Sequence, residues 1–462
     1  MSLFQTISPV DNTVLFERSY ATEEQINSVL DKSQEAQKSW KRLDLQDRIA
    51  HLNRFVDAVG AQKELLAREL TSQMGRPIRY TQGEINGFEQ RARKMLELAP
   101  QTLANVIPPQ QPQFTRYIKR SPLGVVLVLS PWNYPYLTAV NVLIPALAAG
   151  NTVVLKHSEQ TALCAERLAE CAEQSGMPPD IFQVIHCTHQ QVAQIVDDSR
   201  VNFVAFTGSV AGGQAVQNAA AQRFLGIGLE LGGKDPAYVR GDANLAYAVE
   251  NLVDGAFFNS GQSCCGIERI YVHQSLYKEF VDEFVKSVKT YKLGNPFDEE
   301  TTLGPMVRTS NAERVRSQIK EAVQAGAKAL IDSDLFVHNK DNTPYLAPQV
   351  LINVNHQMTI MREESFGPVV GIMSVSSDSE AVELMNDSEF GLTASIWTNN
   401  EEAAQDIGEQ LETGTVFMNR CDYLDPELAW VGVKNSGRGC TLSQIGFEQL
   451  TRPKSFHLKS IT

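Results

Sequence analysis

A cysteine in a small, polar loop is the strongest chemical feature of the sequence. Cys264 follows Gly261-Gln262-Ser263, directly after a predicted helix, and Cys265 stands beside it. A cysteine in such a loop is either a small packed hydrophobe or a nucleophilic thiolate, which requires an electropositive, partly open site. The second interpretation predicts covalent catalysis at a sulfur atom.

Three further motifs could supply a base, a dipole and an anion site. Glu230 precedes the glycine pair 232–233, so it is either a solvated carboxylate beside a turn or a carboxylate that another group approaches closely. Asn133 lies between two prolines at the carboxyl end of a predicted strand, where open α/β sheets bind ligands. The segment from Gly208 to Gly213 follows another strand and resembles a helix start that faces a phosphate, although it is not GxGxxG.

Composition excludes several classes of protein. The 462 residues carry 54 acidic and 41 basic side chains, a net charge of −13, which disfavours nucleic acid or an anionic membrane as the main partner. With 43 % hydrophobic and 21 % charged residues the chain is globular, and disorder, collagen and coiled coil are excluded as dominant states.

The cysteines and the apolar runs indicate the compartment. Seven cysteines form no CxxC pair and no Cys/His cluster at zinc spacing, so neither a disulfide framework nor a metal site is expected. The run 137–149 is too short for a membrane span, and residues 1–5 show no secretory signal. We therefore expect free thiols and a cytoplasmic location.

The order of predicted elements indicates how these residues are positioned. Helical spacing dominates the first hundred residues, with helices over 21–59, 63–74 and 84–98. Apolar strands over 124–129, 152–156 and 201–206 then alternate with helices, which predicts a parallel sheet covered by helices on both faces. The rhythm restarts after residue 233, with strands at 237–239 and 269–272, so a second α/β unit from about 234 to 420 is expected.

Taken together, the motifs resemble those of the NAD(P)-dependent aldehyde dehydrogenase superfamily over nearly the whole chain. Glu230 precedes Cys264 by 34 positions, as the family pattern requires. The matching segments, in chain order, are Pro131-Trp132-Asn133, Lys156 with Glu159, Phe206-Thr207-Gly208-Ser209, Glu230-Leu231-Gly232-Gly233-Lys234, Gly261-Gln262-Ser263-Cys264, Glu363-Glu364-Ser365-Phe366-Gly367-Pro368 and Lys434-Asn435-Ser436-Gly437.

The resemblance implies oxidation of an aldehyde to its carboxylic acid. Cys264, which the GQxC spacing selects over Cys265, would form a thiohemiacetal and then a thioester. The Asn133 amide and the Cys264 N–H would hold the oxyanion, and Glu230 would activate the hydrolytic water. Two alternatives stay open: a CoA-acylating enzyme, which generally lacks the base at Glu230, and a catalytically silent structural or ligand-storage protein on the same fold.

The resemblance also implies a dinucleotide site. NAD is expected in preference to NADP, because a carboxylate at Glu159 would repel a 2′-phosphate, although Lys156 favours one. The implied cofactor residues are Trp132, Lys156, Glu159, Gly208, Ser209, Gly213, Leu231, Glu364 and Phe366.

Departures from the family pattern bear on the substrate. Many members carry a lysine at position 142 and a glutamate at 441, where this chain has Val142 and Thr441. Succinate-semialdehyde-type relatives place an arginine at position 141; here Asn141 stands there, so a dicarboxylic semialdehyde is not expected unless Arg420 or another cation serves. The candidate residues of the substrate pocket are Tyr134, Thr138, Asn141, Cys265, Cys421, Tyr423 and Trp430.

The resemblance implies an α/β fold with three parts: a doubly wound, Rossmann-like cofactor domain, an α/β catalytic domain and a small β oligomerisation arm. The expected boundaries are 1–106 and 122–232 for the NAD-binding domain, 233–432 for the catalytic domain, and 107–121 with 445–462 for the arm. The alternating, exposed strands of the arm predict a homodimer or homotetramer.

Overall fold

The computed structural model describes residues 2–461, which form two large, mainly parallel sheets and three two-stranded sheets. The strands are β1 (Leu3–Ile7), β2 (Val14–Ser19), β3 (Phe114–Pro122), β4 (Val125–Ser130), β5 (Thr152–His157), β6 (Phe182–Val184), β7 (Val201–Thr207), β8 (Gly226–Glu230), β9 (Asp235–Val239), β10 (Ile267–His273), β11 (Lys328–Ala329), β12 (Gln349–Ile352), β13 (Val369–Val375), β14 (Phe390–Gly391), β15 (Thr393–Trp397), β16 (Thr415–Met418), β17 (Val433–Lys434), β18 (Gly437–Arg438) and β19 (Thr451–Lys459).

The helices lie between these strands, and no helix within residues 2–461 is long and apolar enough to cross a membrane. They are α1 (Glu23–Trp40), α2 (Leu45–Ala61), α3 (Lys63–Met74), α4 (Ile78–Thr102), α5 (Pro135–Ala148), α6 (Ala162–Gln174), α7 (His189–Asp197), α8 (Val210–Ala219), α9 (Leu245–Phe257), α10 (Tyr277–Val288), α11 (Thr309–Gln324), α12 (Thr359–Arg362), α13 (Asp378–Asn386) and α14 (Glu401–Gly408). Short 3₁₀ turns lie at Glu159–Thr161, Phe258–Gly261, Ser333–Leu335 and Ile445–Leu450.

The first large sheet has the strand order β18-β8-β7-β4-β5-β6, and only β18 runs antiparallel to its neighbour. Alternate side chains of β4 face opposite layers, because successive residues of a strand point to opposite faces. Val126 and Val128 contact the layer of α2–α6, whereas Val125 and Leu127 contact that of α1, α7 and α8. The chain winds in both directions from β4, and the doubly wound α/β class predicted from the sequence is confirmed.

The second large sheet has the order β11-β12-β13-β10-β9-β15-β16, parallel apart from the β11–β12 pair. Helices α9 and α10 pack on one face, around Phe257 and Phe284. Helices α11, α13 and α14 pack on the other face, around Tyr238 and Tyr271. Each central strand is covered on both sides, so β9, β10 and β15 are buried along almost their whole length.

The structure departs from the sequence prediction near the amino terminus. An antiparallel hairpin, β1–β2, precedes the first helix, with Phe4 and Thr6 buried on one face of β1. The helix expected over 21–59 is two helices, because the chain turns after Trp40 and restarts beyond Asp44. The spacing of apolar residues could not predict the hairpin or the break between α1 and α2, because both depend on contacts with residues distant in the sequence.

The predicted arm is a two-stranded antiparallel sheet. Strand β3 pairs with β19 without a break, from Phe114 opposite Lys459 to Pro122 opposite Thr451. Two ring pairs stack across this sheet. Tyr117 stacks on Phe456, with centroids 4.6 Å apart, and Phe114 stacks on the imidazole of His457. Residues 433–444, which the predicted boundaries leave unassigned, contribute β18 to the first large sheet before the chain reaches β19.

Candidate active site

A cavity of about 480 Å³ lies between α4, the start of α5, the end of β8 and the loop before β10. Both Glu230, at the end of β8 in the first large sheet, and Cys264, in the loop before β10 of the second, line this cavity. The residues of the predicted substrate pocket that line the same cavity are Tyr134, Thr138, Asn141, Cys265, Tyr423 and Trp430. Cys421 does not line it: its Sγ donates to the carbonyl of Asn251, 3.6 Å away.

The loop that carries Cys264 has a constrained backbone. After α9 the 3₁₀ turn passes through three residues of positive φ, ending at Gly261 with φ +68°. A Cβ at Gly261 would lie 2.3 Å from the carbonyl oxygen of Gly367, so only glycine fits there. The turn leaves Cys264 half-buried at the cavity, and its backbone N–H donates to no acceptor within residues 2–461.

Asn133 is fixed to this loop by a buried network. Its Nδ2 donates to the carbonyl of Gln262, 3.3 Å away, which uses one of its two N–H groups. The backbone carbonyl of Asn133 accepts from Arg76 and from Asn259 Nδ2. Arg76 Nε also donates to Asn259 Oδ1 at 3.0 Å. The same guanidinium forms a buried ion pair with Glu84 of α4. Arg76 therefore joins the amide and the cysteine loop in one arrangement.

Glu230 ends β8 and is held by two hydroxyl groups. Thr441 Oγ donates to one carboxylate oxygen, and Thr207 Oγ donates to the other at 3.1 Å. Burial raises the pKa of Glu230, whereas the two hydroxyls and the positive charge of Arg91 act in the opposite direction. Thr441 is itself fixed by two backbone hydrogen bonds with Trp430, a residue of the cavity wall.

Cys265 has a different environment from Cys264. Its Sγ donates to Asp422, 3.0 Å away, and Ser263 Oγ donates to the same carboxylate oxygen at 2.8 Å. The neighbouring Cys264 side chain and burial raise the pKa of Cys265 well above its usual range. A thiol that is buried, protonated and bonded to a carboxylate is a poor nucleophile, so the geometry favours Cys264 as the reactive sulfur.

A second cavity, also of about 480 Å³, is lined by both Ser209 and Glu364. Ser209 caps α8, since its Oγ accepts from the N–H of Gly212 at 3.2 Å. The first turn of α8 presents its N–H groups and the positive end of the helix dipole to this cavity. A Cβ at Gly213 would lie 2.7 Å from Leu231, so glycine lets α8 pack closely on the end of β8.

A buried ion pair holds the loop that carries Glu364 and Phe366. Lys234 pairs with Glu268, and Glu268 also accepts from the backbone N–H of Phe366 at 2.8 Å. Glu364 accepts from the N–H of Gly233 at 3.1 Å, and burial together with the charge of Glu268 raises the pKa of Glu364 to about 7.

Phe366 and Trp132 meet beside this loop. The Phe366 ring packs edge-on against Trp132, with centroids 5.6 Å apart. Gly208 lies two residues before α8, and its N–H donates to the carbonyl of Glu230 at 3.0 Å, so that N–H is engaged at the end of β8. The structure thus gathers these predicted residues around the junction of the two sheets.

Lys156 and Glu159 lie at the end of β5 and line neither of the two cavities. Tyr20 donates to the Glu159 carboxylate at 2.7 Å, and burial and this carboxylate raise the pKa of Tyr20 to about 12. Burial lowers the pKa of Lys156, while the negative charge of Glu159 opposes that shift. The carboxylate at this edge is therefore fixed in place by a neighbouring phenol.

Several residues of the site were missed by sequence reasoning. Arg76, Arg91, Asp254 and Asp422 have no family motif around them, yet Arg76 and Asp422 organise the cavity and all four line it. Burial raises the pKa of Asp254 to about 6. One signal was present: the positions 80, 84, 87 and 91 recur at helical spacing, and α4 presents all four to the cavity.

The sequence matches known proteins over nearly its whole length. The model of the aldehyde dehydrogenase family matches residues 2–456. A succinate semialdehyde dehydrogenase [NAD(P)+] of Escherichia coli is 32 % identical over 451 residues, which cover 96 % of this chain and 95 % of the relative. An aldehyde dehydrogenase of Paenarthrobacter nicotinovorans is 32 % identical over 97 % of this chain and 98 % of its own.

Solved structures show the same fold. Betaine aldehyde dehydrogenase from Staphylococcus aureus, solved in complex with NAD+, superposes with a TM-score of 0.94 at 29 % identity, covering 100 % of this chain and 92 % of that one. The residues that converge on the cavity, the match over the whole chain and the shared fold lead to one conclusion: the chain belongs to the aldehyde dehydrogenase family, as an NAD(P)-dependent enzyme that oxidises aldehydes to carboxylic acids.

Proposed function

We propose that the oxidation proceeds through a covalent bond between the aldehyde carbon and Cys264. The observation that carries this proposal is the convergence of Cys264 and Glu230 on one cavity, with the Asn133 amide fixed beside the cysteine loop. The sulfur lone pair forms the S–C bond, and the carbonyl electrons move onto oxygen. The unengaged N–H of Cys264 and the second N–H of Asn133 are the donors that would hold this oxyanion.

When bound, NAD(P) would supply the hydride acceptor, and loss of hydride from the adduct on Cys264, as its C=O bond forms again, would leave a thioester on that sulfur. Glu230 then takes a proton from water, the resulting hydroxide adds to the thioester carbon, and the acid leaves as the thiolate is restored. Because Glu230 is a half-buried carboxylate of the cavity wall, held by two hydroxyls, the site contains the base that hydrolysis requires. This favours water over CoA as the acyl acceptor, and it favours an active enzyme over a silent storage protein.

The residues around the second cavity fit a dinucleotide. The first turn of α8 would hold the pyrophosphate, because its N–H groups and helix dipole favour a negative charge. Glu364 and Phe366 would hold the nicotinamide ribose and ring, with Trp132 packed behind. At the other end, the Glu159 carboxylate, fixed by Tyr20, would accept from the adenosine ribose hydroxyls and repel a 2′-phosphate, which favours NAD.

The arm supports an oligomer. The outer edge of β19 pairs with no strand of the described chain, so its backbone groups are free to pair with another copy. Ser460 donates its N–H to Gln113, and alternation along β19 therefore points the N–H groups of Ser455 and His457 outward. Pro453, on the same outward side, has no N–H to offer. We propose a homodimer or homotetramer joined through this edge.

The first prediction separates the two catalytic roles in an assay without CoA. Cys264→Ala loses NADH formation, because no thiol is left to form the covalent bond. Glu230→Gln gives a burst of at most one NADH per subunit, followed by steady turnover reduced about 10²-fold or more, because hydrolysis has lost its base. Cys171→Ala, a buried cysteine of α6, is the control with unchanged rates. Full turnover in Cys264→Ala would contradict the mechanism.

The second prediction concerns the pH dependence of hydrolysis. The Thr441 hydroxyl lowers the pKa of Glu230, so Thr441→Val raises that pKa and leaves less of the ionised base at a given pH. The acidic limb of the kcat–pH profile moves to higher pH, and an NADH burst emerges on its acidic side. Thr441→Ser keeps the donor and retains the original profile. An unshifted limb in Thr441→Val would show that this hydrogen bond does not tune the base.

The third prediction tests cofactor preference. Glu159→Ser removes the charge that opposes a 2′-phosphate, so the ratio of kcat/KM with NADP to that with NAD rises about tenfold or more, equivalent to about 1.4 kcal/mol. The control is Glu173→Ser, an exposed glutamate of α6. If the ratio in Glu159→Ser stays at the wild-type value, Glu159 does not select the cofactor.

The fourth prediction tests the arm. Ser455→Pro removes an outward N–H of β19 without touching the bonds to β3, and it shifts the mass in light scattering toward the 51.1 kDa monomer. Ser455→Ala keeps the N–H and the oligomer. A wild-type protein that is itself a monomer, or an unchanged mass in Ser455→Pro, would rule out association through this edge.

A further inference from the structure

Arg91 of α4 places a positive charge in the cavity that contains Cys264 and Glu230. Its Nη1 donates to the carbonyl of Leu137 at 3.0 Å and to Oδ1 of Asn141 at 3.1 Å. Both acceptors are neutral and both belong to α5. The guanidinium is therefore anchored in orientation while its charge is left without a direct counterion.

The other cations buried at this junction are compensated. Arg76 pairs with Glu84, and Lys234 pairs with Glu268. Arg91, in contrast, has no carboxylate within 4.0 Å anywhere in residues 2–461. Arginines can also be satisfied by carbonyls alone, and Arg269 is one such case, but it donates from all three of its nitrogens.

Arg91 differs from that case because only one of its nitrogens is engaged. Within the described chain, Nε and Nη2 donate to no acceptor, and these two atoms form the edge of the guanidinium that binds a carboxylate through two parallel hydrogen bonds. The residue also lines the cavity itself, whereas Arg269 does not. The residue that carries this unengaged pair of donors thus lines the space where the aldehyde would bind.

The acidic groups around the cavity do not supply the missing partner. Glu230 is held by two threonines, and Asp422 accepts from Ser263 and Cys265. Asp254 also lines the cavity but lies beyond ion-pair distance of Arg91, like the other two. No carboxylate of the described chain therefore forms an ion pair with Arg91, whose charge acts on Glu230 and Glu84 only at longer range. A carboxylate on a bound ligand would give the guanidinium a direct partner.

We propose that Arg91 binds a carboxylate at the far end of the substrate, so that the enzyme oxidises semialdehydes of dicarboxylic acids. This inference rests on the proposed function, since it concerns the same cavity. Asn141 stands where succinate-semialdehyde-type relatives have an arginine, and its Oδ1 accepts a hydrogen bond from Arg91 of α4. Nε and Nη2 bind the carboxylate, Nη1 keeps its two bonds to α5, and the aldehyde end faces Cys264.

The test compares ω-oxo acids of four to six carbons with the neutral n-alkanals of the same length, read as NADH formation. The wild-type enzyme prefers the oxo acids in kcat/KM. In Arg91→Met that preference falls about 100-fold, because the loss for the oxo acid greatly exceeds the loss for the alkanal. Arg91→Lys restores part of the preference, since it keeps the charge but loses the paired donors.

Arg93→Met is the matched control, because Arg93 lies on the same helix but is exposed and pairs with Asp57. It keeps the wild-type preference. The proposal is overturned if the wild-type enzyme turns over alkanals as well as oxo acids, or if Arg91→Met lowers both substrates equally, which would assign Arg91 to the reacting groups instead. Either result leaves the proposed function intact, whereas an absence of NADH from every aldehyde would overturn both.

Discussion

A partly buried carboxylate that must stay available as a base governs the design of this active site. Glu230 ends β8 at the cavity wall, where desolvation makes its ionised form costly. The chain offsets that cost with two hydroxyl donors, Thr207 and Thr441, and with the more distant charge of Arg91. Hydroxyls stabilise the carboxylate without locking it into an ion pair, so the base remains able to accept a proton.

The cost of an uncompensated buried charge also explains why this chain lacks both the lysine and the glutamate that many members carry at positions 142 and 441. A lysine at 142 would need a negative partner, and Thr441 does not provide one, so the apolar Val142 avoids stranding a buried charge. Elsewhere at the junction, full ion pairs do appear, but they hold loops rather than reacting groups. Arg76 with Glu84 fixes Asn133, and Lys234 with its partner fixes the loop of residues 363–368. The two kinds of interaction have different effects. Buried ion pairs hold the loops rigidly, whereas hydroxyl donors leave the carboxylate of Glu230 able to bind and release a proton.

The sequence predicted those parts of the structure that depend on neighbouring residues or on a family motif. Five strands of the two large sheets, β4, β5, β7, β9 and β10, lie within two residues of their predicted bounds, because the predictions rest on local apolar runs that need no distant information. Other strands of these sheets, such as β6, β12 and β13, were not predicted. The hairpin β1–β2 and the break between α1 and α2 were not predictable in this way. They depend on which distant surface each segment meets, as when Thr6 donates to the carbonyl of Glu159.

Arg91 shows the same limit at the level of the site. No motif surrounds it, and on α4 its neighbours Arg93 and Lys94 have the same charge but face solvent and ordinary surface carboxylates. Only the packing of α4 against α5 distinguishes it, since that contact turns one side of the helix toward the cavity. Motif residues therefore define the covalent chemistry that this chain shares with its family. The residue proposed to select the substrate instead comes from a helix whose sequence the reaction does not constrain, so substrate preference can change by substitution on α4 while Cys264, Asn133 and Glu230 stay the same.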